Sequence, residues 1–262
     1  MSQTLSIACW NVNSLNTRLP RVLEWLQAEA PDVVCLQELK CMDEKVPRLE
    51  LEDLGYNLIT HGQKTYNGVA ILSKHPLSDV VTGLPNFDDE QARYLEALVE
   101  APVPFRVASL YAPNGNPVET EKFPYKLRWL DALHQRATDL MTWEEATVLC
   151  GDYNIIPTAA DCHDVAVWAG DALYQPESRA RYQGLLNLGL TDAYAARPDP
   201  DGRFTFWDYQ GGAWQKNHGI RIDHHLLSPE AADRLQAVRI HKDTRAAERP
   251  SDHVPVVTTF AL

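Results

Sequence analysis

The chain has 262 residues, of which 45% are hydrophobic and 23% charged, a composition ordinary for a folded globular protein. No stretch approaches the roughly 20 apolar residues that a membrane span needs, so we expect no membrane partner. The net charge of −12 argues against a surface that coats nucleic acid broadly, although a local basic strip with bound cations would still suffice for DNA.

Apolar periodicity predicts alternating strands and helices. Strands are expected at 5–12, 32–38, 68–74, 94–101, 105–113, 147–152, 203–209, 220–228, 235–242 and 253–260, and helices at 19–30, 127–140 and 179–189. The β-α-β start followed by consecutive strands favours an α/β protein with mixed sheets. No linker or low-complexity segment interrupts the pattern, so we expect residues 1–262 to form a single domain.

The N-terminus has neither a basic leader nor a long apolar segment, so we expect no secretion signal. The five cysteines lack paired metal-type spacing, and Cys9, Cys35 and Cys150 lie in or beside apolar runs, as reduced core residues do. A cytoplasmic protein is therefore expected.

Polar side chains gather where the predicted strands end. These residues are Asn11, Asn13, Gln37, Glu38, Tyr111, Asn114, Asp152, Asn154, Asp223, Asp252 and His253. Any single Asn or Asp pair is explained by a turn, because these side chains bond to their own backbone. Turns do not require Glu, Tyr or His, and strand ends of this kind line the binding crevice in packed α/β folds.

The oxygen-rich set indicates a metal site. Asn11, Glu38, Asp152 and Asp252 offer hard oxygen ligands, which suit Mg²⁺ or, as a substitute, Mn²⁺. No Cys/His set is present for zinc. Since Mg²⁺ keeps open positions for phosphate oxygens, metal-assisted hydrolysis of a phosphodiester is the expected chemistry.

The remaining strand-end residues have roles that fit this chemistry. Asp152 could take a proton from the attacking water, with Asn154 orienting it. Asp223 could orient the imidazole of His253, whose protonated form would stabilise charge on the phosphate. Tyr111 offers a further donor.

Six motifs carry a family resemblance: "WNVNSL", "LQELK", "LYAPNG", "GDYNI", "RIDHHLLS" and "SDHVPV". In order, spacing and residue type they resemble the exonuclease III type apurinic/apyrimidinic (AP) endonucleases of the endonuclease/exonuclease/phosphatase superfamily, which has the DNase I-like fold. The resemblance covers essentially the whole chain. The stretch "FTFWDYQGGAWQKNHGIRID" resembles the bacterial exonuclease III branch more specifically.

This resemblance implies a four-layer α/β sandwich, with two packed mixed β-sheets flanked by helices. It implies a monomeric enzyme that acts on double-stranded DNA, especially abasic or 3′-blocked DNA, cleaving 5′ of abasic sites and removing nucleotides 3′ to 5′. It also implies metal contacts for Asn11, Glu38, Asp152, Asn154 and Asp252, and catalytic roles for Tyr111, Asp152, Asn154, Asp223 and His253. Substrate contacts are expected from Lys64, Asn114, Phe206, Trp207, Lys216, Ile220, Arg221 and Ile222, with Phe206, Ile220 and Ile222 around a base-less sugar.

Two alternatives stay open from the sequence. A phosphatase or phosphodiesterase of the same fold, acting on a small or lipid phosphoester, should have basic loops that read the headgroup. A catalytically inactive DNA-binding module should have lost at least one of Glu38, Asp152, Asn154, Asp223, Asp252 or His253, and all are present.

Overall fold

The computed structural model describes residues 3–262. Twelve strands are formed in these residues: β1 (Thr4–Asn11), β2 (Val33–Gln37), β3 (Asn57–His61), β4 (Val69–Ser73), β5 (Leu77–Thr82), β6 (Tyr94–Val99), β7 (Phe105–Tyr111), β8 (Thr147–Asp152), β9 (Thr191–Asp192), β10 (Asp223–Leu227), β11 (Leu235–Ile240) and β12 (Val256–Ala261). They make two mixed six-stranded sheets, ordered β11-β12-β1-β2-β4-β3 and β5-β6-β7-β8-β10-β9.

Helices cover the outer faces of both sheets. The α-helices are α1 (Leu15–Glu29), α2 (Arg48–Glu52), α3 (Lys122–Met141), α4 (Val165–Trp168), α5 (Pro176–Asn187), α6 (Ala193–Ala196) and α7 (Pro229–Ala232), and short 3₁₀ turns span Asp43–Lys45, Ala159–Asp161 and Lys242–Ala246. Residues of α1 and α2 pack on the first sheet, and residues of α3 and α5 pack on the second. The expected four-layer α/β sandwich is thereby confirmed.

The main apolar core lies between the two sheets. Ile7 and Phe260 of the first sheet and Val107 and Val148 of the second are fully buried in it. Strands β2 and β8 are buried along their whole length because both of their faces are covered, which explains why their sequences are continuous apolar runs.

Most predicted elements are present, and the differences include a strand that does not form, a helix that begins earlier and several short elements that were not predicted. The prediction of a strand at 203–209 is wrong: only Phe206 forms bridges there, one to Ile220 and one to His253, and its neighbours in the segment form none. Helix α1 begins four residues before the predicted Leu19 and includes Pro20. Edge strands β3 and β5 were not predicted, because they are only partly buried and carry little apolar alternation.

The cysteines match the expectation of reduced core residues. All five are free and buried, and Cys9, Cys35 and Cys150 have no exposed surface. No helix within residues 3–262 is long and apolar enough to cross a bilayer.

Candidate active site

Strand register brings the polar strand ends together. Tyr111 on β7 pairs with Asp152 on β8, which pairs in turn with Asp223 on β10. On the facing sheet Asn11 ends β1, and its amide nitrogen donates across the gap to Asp152 Oδ2 at 3.0 Å and to Glu38 Oε1 at 2.9 Å. The site therefore lies where both sheets end, and Asn11 joins the two halves.

The turn after β8 is shaped by one glycine. A Cβ atom on Gly151 would lie 2.0 Å from the carbonyl oxygen of Leu110, so any side chain would push β7 and β8 apart. Beyond it, Asp152 Oδ1 accepts the backbone N–H of Asn154 at 2.8 Å, and Asn154 has a positive φ of 49°. The Gly-Asp-Tyr-Asn sequence thus places the side chains of Asp152 and Asn154 in the same cavity.

A buried ion pair lies at the centre of the site. Asp223 Oδ2 accepts from His253 Nδ1 at 2.9 Å, and His253 Nε2 lies 3.6 Å from Asp152 Oδ2. All three residues are buried. Burial alone would lower the pKa of His253, but the carboxylates of Asp223 and then Asp152 outweigh it and raise the pKa to about 10. The imidazole is therefore an imidazolium at neutral pH.

The backbone around His253 is fixed from several sides. Ser251 Oγ donates to the carbonyl oxygen of Asn11 at 2.7 Å and accepts the N–H of His253 at 3.2 Å. The indole nitrogen of Trp10 donates to the His253 carbonyl at 3.1 Å, and the Phe206 ring meets the imidazole edge-on with centroids 4.9 Å apart. The Ser-Asp-His sequence therefore positions the imidazolium with little freedom.

The pKa values of two more side chains, Asp152 and Tyr111, are raised. Burial, and then the charge of Asp223, raise the pKa of Asp152 to about 7, although His253 opposes this. Burial, and then the charges of Glu38 and Asp152, raise the pKa of Tyr111 well above its ordinary range. Asp152 can therefore accept a proton near neutral pH, whereas Tyr111 keeps its hydroxyl proton and can donate a hydrogen bond.

The oxygen donors beside this pair fit a hard divalent cation. Glu38 Oε2 lies 2.7 Å from the Lys40 ammonium, which also donates to Asn13 Oδ1. The amide nitrogen of Asn13 donates to Asp252 Oδ1 at 3.1 Å. Oxygens of Glu38 and Asn13 thus already converge on a cation, with a second carboxylate alongside and no thiolate among these donors, which is the donor set that Mg²⁺ and Mn²⁺ prefer.

Two predicted ligands do not face that point. Asn11 turns its nitrogen toward the carboxylates, while its oxygen accepts the N–H of Asn13. The side chain of Asn154 donates to the carbonyl of Ala112 at 3.0 Å and accepts from Asn114 at 3.2 Å. In this arrangement both asparagines hold neighbouring groups in place instead of presenting a free oxygen.

A second group of possible ligands is the Asp152, Asp223 and His253 cluster, whose ligand atoms lie within 4.8 Å of one another. His253 is a poor ligand there because a protonated imidazole has no lone pair to give, and Asp223 is already bonded to it. The Glu38 and Asp252 side of the site is the better match for a metal.

The cavity above these residues has a volume of about 310 Å³. Among its lining residues are nine of the predicted site residues: Glu38, Tyr111, Asn114, Asp152, Asn154, Phe206, Ile222, Asp252 and His253. Five further lining residues were not predicted: Asn116, Trp168, Asp171, Leu173 and Asp208. Asn116, Trp168, Asp171 and Leu173 lie outside the predicted strands, whereas Asp208 stands near the end of the predicted strand 203–209 and was not singled out.

Three residues predicted to contact DNA have buried side chains that do not line the cavity. Trp207 is 1% exposed and its indole nitrogen donates to Asn217. Ile220 has no exposed surface and packs in a small apolar cluster with Ile222. Arg221 is enclosed as described next.

Arg221 belongs to a buried charge network instead of a DNA-binding surface. Its guanidinium donates to Asp161 Oδ1 at 2.8 Å and to Asp192 Oδ2 at 2.9 Å, and approaches His224 Nδ1 at 3.1 Å. Alternation of apolar and charged residues along 220–223 could not reveal this, because Asp161 and Asp192 come from distant parts of the chain.

Lys64 and Lys216 are exposed and do not line the cavity. Lys216 Nζ donates to the carbonyl of Gly211 at 2.9 Å. Their predicted contacts with DNA phosphates stay predictions. Lys40 and Asn13, which the site does contain, stand within the motifs "LQELK" and "WNVNSL" but were not singled out as ligands.

Comparison with known proteins decides the family. A profile described as the endonuclease/exonuclease/phosphatase family matches residues 8–253. The chain belongs to this family. It is 33% identical to "Exodeoxyribonuclease III" of Haemophilus influenzae over 262 aligned residues, covering 96% of this chain and 98% of that protein.

Solved structures of family members agree with this assignment. The chain superposes with a TM-score of 0.93 and 43% identity on the 3′ phosphatase NExo from Neisseria, solved with a product DNA hairpin, over 98% of this chain and all of the other. An AP endonuclease from Archaeoglobus fulgidus gives a TM-score of 0.93 at 33% identity, with the same coverage. The family likeness extends over almost the whole chain.

Proposed function

We propose that this protein is a divalent-metal-dependent DNA repair nuclease that hydrolyses phosphodiester bonds in duplex DNA. It removes nucleotides and blocking groups from 3′ ends and cleaves 5′ of abasic sites. The observation that carries the proposal is the His253 imidazolium, held by Asp223 and lying 3.6 Å from Asp152 at the base of an open cavity. Relatives with names that denote 3′ phosphatase, exodeoxyribonuclease and AP endonuclease activity support it.

The residues divide the reaction between them. Asp152 accepts a proton from the attacking water as its oxygen bonds to phosphorus and the P–O3′ bond breaks, and the same carboxyl then returns the proton to the leaving 3′ oxygen. His253 stabilises the negative charge that develops on the phosphate. Tyr111 donates a hydrogen bond from its neutral hydroxyl. Glu38 and Asp252 would hold Mg²⁺ or Mn²⁺, whose charge would polarise a phosphate oxygen.

The charge of the cavity supports a metal requirement. Five carboxylates line it, those of Glu38, Asp152, Asp171, Asp208 and Asp252. A phosphodiester entering such a site meets repulsion that one imidazolium cannot offset, so a bound cation is needed for tight binding.

The residues that line the cavity also argue against the two alternative functions, a small-molecule or lipid phosphatase and an inactive DNA-binding module. A phosphatase that reads small or lipid headgroups should present basic residues, yet no Lys or Arg is among the described residues that line this cavity. An inactive DNA-binding module would not need the Asp152, Asp223 and His253 arrangement, which is complete. We also propose that the protein is a monomer and that it acts in the cytoplasm.

Phe206 and Ile222 give the cavity one apolar wall. Moving an abasic sugar out of the duplex to lie beside this wall costs less free energy than moving out a nucleotide, because less base stacking is lost. We therefore expect faster cleavage at abasic sites than at ordinary internal positions of the same duplex.

The test is a labelled duplex with one abasic site, compared with an intact duplex in Mg²⁺ and in excess EDTA. Wild type should cut 5′ of the abasic site and leave a 3′-hydroxyl, and Phe206→Ala should slow this cut more than it weakens binding to intact duplex. Equal rates at abasic and ordinary positions would reject the abasic preference, and full activity in EDTA would reject the metal requirement.

A further inference from the structure

A lysine without exposed surface lies behind the active-site cavity. Lys126 projects from α3, and its ammonium donates to three backbone carbonyls: Asn154 at 2.6 Å, Asn114 at 3.1 Å and Ala172 at 3.3 Å. Burial lowers the pKa of Lys126 to about 7. In its ammonium form the side chain has three N–H groups and no acceptor, so each N–H has one carbonyl partner. No carboxylate lies within ion-pair distance of Lys126 among the described residues.

The three carbonyls belong to three separate loops. Asn114 lies in the loop after β7, Asn154 in the loop after β8, and Ala172 in the loop between α4 and α5. These loops share no β-ladder; the Ile156 N–H donates to the Leu173 carbonyl at 2.9 Å between the second and third loops, and contacts of side chains with backbone add to this bond. Lys126 contacts all three from behind.

The same loops carry the cavity wall. Asn114, Asn154 and Asp171 line the cavity, and Asn114 Nδ2 donates to Asn154 Oδ1 at 3.2 Å. Asn116 joins the third loop by donating to Asp171 Oδ1 at 3.0 Å and accepting the N–H of Ala172 at 3.0 Å. A shift at the Lys126 carbonyls would therefore move side chains that face the substrate.

We propose that Lys126 is a positioning residue that sets the geometry of the Asn114, Asn154 and Asp171 wall through its three carbonyl bonds. The inference rests on the proposed nuclease function. A packing role alone does not account for the residue, because an apolar side chain would fill the space without the free-energy cost of burying a charge. The three carbonyls, by contrast, are left unpaired if the ammonium is removed.

The space around the lysine is closely filled. A Cβ atom added to Gly115, which has a φ of +91°, would lie 2.7 Å from Lys126 Cδ and 3.1 Å from the Cβ of Ala172. Gly115→Ala would therefore strain the loop backbone at this positive φ and press on the lysine stem, without removing the charge of Lys126.

The test compares Lys126→Met with Leu130→Ala, a matched control one turn along α3 whose buried side chain packs among helix and strand residues. For each folded variant, kcat and KM are measured on a 3′-end DNA substrate, and amide hydrogen exchange is followed by mass spectrometry. For Lys126→Met we expect kcat to fall about 100-fold with KM little changed, because small misplacements of catalytic groups have costs of this size. Amide hydrogen exchange should become faster in all three loops, at 112–117, 153–157 and 169–175, and should be unchanged in β1 and β12.

Leu130→Ala should lower thermal stability without this local exchange pattern and without the loss of kcat. If Lys126→Met does not fold, Gly115→Ala receives the same measurements, with the same expected pattern. Wild-type kcat in the folded variant, or unchanged exchange in the three loops, would overturn the proposal. If wild type hydrolyses no DNA substrate, the nuclease function fails, while the exchange result still shows whether Lys126 joins the loops.

Discussion

Replacing Asp223 by Asn should remove the main support of the His253 imidazolium. The pKa of His253 rises from an ordinary 6.5 to about 10 because of the charges of Asp223 and Asp152 and the hydrogen bond from His253 to Asp223, against the effect of burial. At 1.36 kcal/mol per pKa unit, this rise corresponds to about 5 kcal/mol of preference for the charged form. Asp223 has the largest raising effect, so the variant should lose much of this preference and hold the ring less firmly, and kcat/KM should fall about 100-fold, the size of loss expected when a catalytic group is misplaced.

The assay has two parts. NMR titration of the His253 ring should show its pKa well below the wild-type value in Asp223→Asn, because the largest raising charge is lost, whereas Asp192→Asn, another buried carboxylate variant, should leave it near the wild-type value. Kinetics of Asp223→Asn, His253→Asn and the double variant should show the double loss close to the larger single loss, since residues acting as a unit are not additive. An unchanged His253 pKa, or multiplicative losses in the double variant, would refute the reasoning.

Three other predictions follow from the site and its surroundings. Glu38→Gln should raise the Mg²⁺ concentration for half-maximal activity about tenfold or more, because a metal-side carboxylate is lost; a titration identical to wild type would contradict this. Because burial raises the pKa of Asp152 to about 7 and the carboxylate is the active form, kcat/KM should fall as pH drops through about 7, as a pH–rate profile would show. Arg221→Met should lower the free energy of unfolding by about 3–5 kcal/mol, since two buried carboxylates lose their partner, without changing the salt dependence of DNA binding.

Much of the site is local in sequence, and this is why its residues were predictable. Asp152 and Asn154 directly follow a buried strand, and Asp252 and His253 precede another, so strand ends alone brought them to one edge. The glycine before Asp152 has its own physical reason, the contact with Leu110. Such features leave a clear signal in a single sequence.

Other features depend on contacts between distant residues. The sequence predicts that Arg221 binds DNA, because nothing local indicates that its guanidinium donates to Asp161 and Asp192. Asp171 lies in a loop that has no motif of its own. It lines the cavity, and Asn116 donates a hydrogen bond to its carboxylate. The segment 203–209 has strand-like composition, but it forms only isolated bridges, from Phe206 to Ile220 and to His253. Tertiary pairing, which periodicity does not encode, decides these cases.

The central claim is metal-dependent hydrolysis of DNA by the Asp152, Asp223 and His253 group. Its most direct test is a 5′-labelled duplex with one recessed 3′ end, incubated with wild type or with Asp152→Asn, in Mg²⁺ and in EDTA. We predict progressive 3′-to-5′ shortening by wild type in Mg²⁺ only, and loss of this activity in Asp152→Asn. No shortening by wild type in Mg²⁺, or equal shortening by Asp152→Asn, would contradict the claim.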